Sequence, residues 1–115
     1  MPKNPLLFVD HVLTEIGYLQ SVTKSSDFDK FQRDPSLTRA ATYSLQNISE
    51  AVRHIPAEWL EEAPSVEWAR IRGFGNIDRH QYFGVDMDVV WQTLTEDLGE
   101  LHAAMLALRD RHSPA

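Results

Sequence analysis

Two runs of apolar residues, one in each half of the chain, repeat with the same steps. Leu37, Ala41, Leu45, Ile48, Val52 and Ile55 follow one another at intervals of four, four, three, four and three, and Val90, Leu94, Leu98, Leu101, Met105 and Leu108 do the same. Such spacing returns to one side of an α-helix and to both faces of a strand, so it predicts two long helices with a single buried stripe each. Their shared register fits packing of one against the other. A third stripe, Val9, Val12, Leu13, Ile16 and Leu19, predicts a helix from Leu6 to about Thr23, with His11 on its solvent side. No segment alternates apolar and polar residues as a half-buried strand would. The fold expected is all-α, an antiparallel bundle of four to five helices.

At 115 residues the chain is expected to be a single domain over 1–115, near the size at which a dimer interface helps to bury a core. With 43% apolar and 24% charged residues it has the composition of a folded protein rather than of a disordered tail. It has no cysteine, which removes disulfides and thiolate metal sites, so a cytoplasmic location is expected. The start Met-Pro-Lys-Asn-Pro lacks the apolar run of a signal peptide, and no stretch approaches the roughly 20 apolar residues of a membrane span.

Punctuation divides the remainder. Residues 24–35 read as a polar connector with one helical turn, Phe28 and Phe31 closing over the end of the core. Asp34-Pro35-Ser36 starts the second long helix, and Pro56 ends it. A short helical piece precedes Pro64, and Ser65 is placed to cap a helix that carries Trp68, Ile71 and Phe74 into a glycine-containing stretch. Gly73 and Gly75 inside that helix each cost about 1 kcal/mol relative to alanine, which asks for a close approach or a distorted turn. Gly84 breaks the segment and Asp86 can cap the last helix. The C-terminal Arg-Asp-Arg-His-Ser-Pro-Ala is expected to fray. Trp59, Trp68 and Trp91 stand where large apolar anchors are expected, in the core or at an interface.

The stretch from Arg72 to Asp86 gathers the chemistry. Arg72, Asn76 and His80 are four apart and share one face if the helix is continuous, and Arg79 returns to nearly the same face. Histidine titrates near neutrality and can take a proton from a hydroxyl, while arginine holds phosphate with a fixed fork of donors. That combination suits RNA cleavage by the ribose 2′-OH with no metal and no cofactor. A metal site finds little support, because no Asp or Glu stands four residues from His80. A serine hydrolase finds less, because there is no glycine-flanked serine elbow. The same residue types also make plain hydrogen-bond networks between helices, and the residues alone leave both readings open. The net charge of −6 excludes a surface coated in phosphate-binding groups. Between Val66 and Tyr82, however, three arginines stand against two acids, while the rest of the chain holds eight basic and fifteen acidic residues. Any contact with nucleic acid must be local to this stretch.

From about Val9 to Leu108 the chain resembles the HepT-like family, the toxin half of bacterial pairs formed by a HEPN-domain ribonuclease and a minimal nucleotidyltransferase. The resemblance rests on Ile48-Ser-Glu-Ala51 with Pro56 after it, on Trp68-Ala-Arg-Ile-Arg-Gly73, and on Asn76-x-x-x-His80-x-Tyr82-Phe-Gly-Val-Asp86 followed by Val90-Trp91. It implies a helical bundle that forms a two-fold homodimer with two motif helices facing each other across a cleft. It implies a type VII toxin, a metal-independent endoribonuclease that leaves 2′,3′-cyclic phosphate ends. It further implies neutralisation by a partner of the minimal nucleotidyltransferase (MNT) type that attaches AMP to Tyr82. His80 would transfer the proton, Asn76 would position phosphate or ribose, and Glu50 would lie on the helix facing the motif.

One departure stands out. The family motif has an arginine immediately before the asparagine, and here that place is Gly75. The cation is replaced, on this reading, by Arg79 or by Arg72 of the same or the opposing subunit. The alternative is a degenerate HEPN dimer that no longer cuts and serves as a nucleotide-binding or docking subunit for a nucleotidyltransferase.

Overall fold

The structure, a computed structural model, describes residues 4–76 and 87–114, with Asn76 described in its backbone alone. Helix α1 spans Pro5–Ser25, α2 Phe28–Arg33, α3 Pro35–Arg53, α4 Ala57–Leu60 and α5 Trp68–Gly73. A 3-10 turn, Phe74–Asn76, continues α5. After the motif come α6, Met87–Gln92, a π-helical turn, Thr93–Asp97, and α7, Leu98–His112. Among the described residues every regular element is helical, so the all-α bundle holds.

The starts of the first three helices follow from their capping residues. Asn4 accepts a hydrogen bond from the Leu6 amide at 3.0 Å, Asp27 from Lys30 at 2.8 Å and Asp34 from Leu37 at 3.1 Å, each satisfying an amide that has no partner within its helix. Pro5 and Pro35 occupy first-turn positions where no amide is needed. Ser65 does not cap α5, which begins at Trp68 behind Glu67 without a side-chain cap. The start is held instead by the Trp68 indole N–H, which donates to the carbonyls of Leu60 and Ala63 at 2.9 and 3.1 Å.

The core lies around α1. Val9, Val12, Ile16 and Leu19 are wholly buried, and α1 packs against both α3 and α7. The two long stripes therefore meet largely through α1, not directly as their common register suggested. Phe31 is fully buried and tilts against Trp91 at 5.1 Å, with half-buried Phe28 beside them, so α2 does close one end of the core. His11 is exposed and paired with Glu15 at 3.6 Å.

The last stripe is not carried by one uniform helix. Each four-residue step overshoots a full α turn by about 40°. In α3 this drift leaves Leu37 only half-buried, whereas Val90, Leu94 and Leu98 are all buried. The wider π turn at Thr93–Asp97 absorbs the overshoot. The chain end also departs from expectation. Helix α7 runs to His112, whose ring stacks on Trp59 at 3.7 Å, and both Arg111 and His112 grip Glu62 at 3.1 and 2.9 Å. That aromatic and ionic contact holds residues 109–112 in the helix.

Candidate functional site

Helix α3 brings Ser49 and Arg53 to one face, four residues apart. Ser49 has no solvent exposure, and its hydroxyl donates to the Arg72 carbonyl at 2.8 Å. This bond satisfies a carbonyl at the end of α5 and draws that helix end against α3. Beyond it the backbone tightens into the 3-10 turn that contains Gly75. The expected continuous α-helix through Arg72 and Asn76 therefore stops at Gly73, and the shared face of these two residues is not that of a regular α-helix.

Only one of the two glycines is required by close packing. Neither lies in the left-handed region, and a Cβ at Gly73 would meet nothing within 4 Å. A Cβ at Gly75 would stand 2.9 Å from the Ser49 Oγ and 3.4 Å from an Arg53 guanidinium nitrogen. Gly75 is thus the point at which the turn touches α3. Beside it opens a polar cavity of about 300 Å³ lined by Gln46, Asn47, Ser49, Glu50, Arg53 and Gly75.

Arg72 has an exposed side chain and lines a separate, largely apolar cavity with Leu60, Pro64 and Trp68. Arg70 is engaged by Asp97 at 3.0 Å. Glu50 is exposed, faces the polar cavity and pairs with His54 at 3.4 Å, while the His54 ring stacks on Phe8. His80, Arg79 and Tyr82 lie outside the described residues, as does the Asn76 side chain. Ser49 and Arg53 were not singled out as site residues from the sequence. The available signal was a polar residue and a cation four apart on the strongest helix of the chain. Among the described residues no group of three His, Asp or Glu side chains could hold a metal ion, and no helix is long and apolar enough to cross a membrane.

The profile of the family described as Ribonuclease HepT-like matches residues 12–108, from the second turn of α1 to the stripe end in α7. The chain belongs to the HepT-like ribonuclease family. A putative RNase of Caldanaerobacter subterraneus is 37% identical over 86% of this chain and 88% of its own length. A putative RNase of Methanocaldococcus jannaschii is 30% identical over 82% of this chain and 86% of its own. The probable ribonuclease HepT of Thermococcus cleftensis is 28% identical over 89% and 93%. No solved structure matches the chain. In this chain the contact between Gly75 and α3 sits directly ahead of the sequence Asn76-x-x-x-His80-x-Tyr82, so the polar cavity adjoins the residue that precedes Asn76.

Proposed function

We propose that this HepT-like protein is the ribonuclease toxin of a type VII toxin-antitoxin pair, acting as a homodimer in the cytoplasm. The observation that carries the reading is the family match over residues 12–108 together with retention of Asn76, His80 and Tyr82 at the motif spacing. His80 takes the proton from a ribose 2′-OH, and the freed oxygen attacks the adjacent phosphorus. The bond to the 5′-oxygen breaks, that oxygen takes a proton from water as it leaves, the proton on His80 returns to solvent, and a 2′,3′-cyclic phosphate remains. The reaction needs no metal, because the charge that builds on the phosphoryl oxygens is met by amide and guanidinium donors, with Asn76, Arg72 and Arg79 as candidates. A nucleotidyltransferase of the MNT type neutralises the toxin by attaching AMP to Tyr82, which blocks the motif with a bulky anion.

The second reading has its own observation. Gly75 replaces the arginine expected from the resemblance, and the space for a side chain there is taken by Ser49. On that reading the protein is a degenerate HEPN dimer that binds nucleotides or docks a nucleotidyltransferase without cutting. Loss of a charged phosphate donor lowers a rate by about 10²–10³-fold.

Cleavage of a labelled RNA in EDTA separates the two. The protein is compared with His80→Ala and with Gly75→Arg, the latter also combined with Ser49→Gly to clear the hydroxyl that a Cβ would meet. Cleavage that survives EDTA and disappears in His80→Ala supports the toxin reading. Cleavage only by the arginine-restored protein supports the degenerate dimer. Absence of cleavage in every variant overturns the ribonuclease reading.

A further inference from the structure

We propose that Arg53, on α3, supplies the phosphate-binding cation for which the motif position holds Gly75. The inference rests on the ribonuclease reading and deepens it, because it assigns the ligand-binding charge to a residue outside the motif. Its basis is the geometry around the 3-10 turn. An Arg53 guanidinium nitrogen lies 3.4 Å from the place where a side chain at residue 75 would begin. With no side chain at residue 75, the Ser49 hydroxyl and the Arg53 guanidinium both close in on that place, so a cation from the neighbouring helix stands where the motif's own cation would be rooted.

The surroundings fit a phosphate ligand. The cavity of about 300 Å³ is lined mainly by neutral hydrogen-bonding groups, the Gln46 and Asn47 side chains and the Ser49 position, together with the Arg53 fork. Its one carboxylate, Glu50, lies 3.4 Å from His54, a contact that is ionic only when the imidazole is protonated, and no ion pair to Arg53 forms among the described residues. Arg53 is exposed, so its guanidinium can turn onto a bound phosphate without dragging the core. Arg72 lines a different cavity and Arg70 is held by Asp97. Of the arginines described next to the motif, Arg53 is the one at Gly75.

The experiment uses the full chain as the wild type, Arg53→Gln, Arg53→Lys and, as a control for surface charge, Arg33→Gln on α2. Two readouts are taken, cleavage of a labelled RNA in EDTA and affinity for a 2′-O-methyl oligonucleotide, which cannot be cut, over a range of salt. Arg53→Gln is expected to cut at least about tenfold more slowly, to bind more weakly and to lose about 0.7 from the slope of log affinity against log salt, the share of one phosphate on a single strand. Arg53→Lys should recover part of both, and Arg33→Gln should behave as wild type. Placing the cation back in the motif, as Ser49→Gly with Gly75→Arg, should restore cleavage to Arg53→Gln. If Arg53→Gln cuts and binds as wild type while His80→Ala does not cut, the inference is wrong and the ribonuclease reading stands. If the wild type binds but does not cut, the affinity of Arg53→Gln alone decides. If neither wild type nor the arginine-restored protein binds or cuts, the ribonuclease reading fails and Arg53 loses its role with it.

Discussion

Gly75 and Ser49 share one small volume, and each constrains the other. The Ser49 hydroxyl is fully buried and reaches the Arg72 carbonyl at 2.8 Å, while any Cβ at residue 75 would come within 2.9 Å of that same hydroxyl. Ser49→Ala removes the bond, at a cost of about 1 kcal/mol. Gly75→Ala pushes the hydroxyl aside and loses the same bond, at a similar cost. The double variant should cost clearly less than the two singles together, with a coupling of at least about 0.5 kcal/mol in a denaturation cycle. Strict additivity would show that the two residues do not compete for this space. The sequence announced that a glycine within a helix needs a reason, and Gly75 has one. It could not announce the reason, because Ser49 and Arg53 lie over twenty residues away on the side of α3 that the apolar stripe leaves unspecified. A stripe identifies which face is buried in the core, and says nothing of what crosses the other.

The elements were legible where short-range chemistry decides them. Asp34-Pro35 marks the start of α3 by itself, and the stripes locate α1, α3 and the last helix. The π turn was not legible, because it resolves a conflict between two four-residue steps and a core fixed by other helices. It makes a sharp prediction. Thr95 is exposed inside the π turn, and its deletion leaves the number of residues an α turn requires, with Val90 and Leu98 still facing inward. Unfolding by denaturant should show a change within about 1 kcal/mol, the range of ordinary surface changes and single hydrogen bonds. Deletion of exposed Ala103 within α7 is the contrast. It rotates the following residues by about 100° and takes Met105 and Leu108 off the core, which costs more than about 3 kcal/mol at 1.5–3 kcal/mol per buried side chain. Equal costs for the two deletions would refute the role given to the π turn.

At the scale of the whole molecule, charge and topology limit how the RNA of the proposed reaction could be held. The two stripes in matching register suggested a direct pair, but α1 stands as the common partner of α3 and α7, because three apolar stripes share one small core. The bundle so formed carries a net charge of −6 with an isoelectric point near 5.2, which disfavours a strand anywhere except at a local group of cations. Binding should therefore depend weakly on salt. If Arg53, Arg72 and Arg79 of one subunit each neutralise a phosphate, the slope of log affinity against log salt for a single strand is about −2, and it is about −4 if a strand crosses between two subunits. A salt titration with the 2′-O-methyl oligonucleotide measures this directly and reports at once on how many subunits hold the strand. A slope steeper than about −5 would require a broad basic surface, which a protein of this charge does not have, and would overturn the proposal that a few guanidinium groups hold the strand.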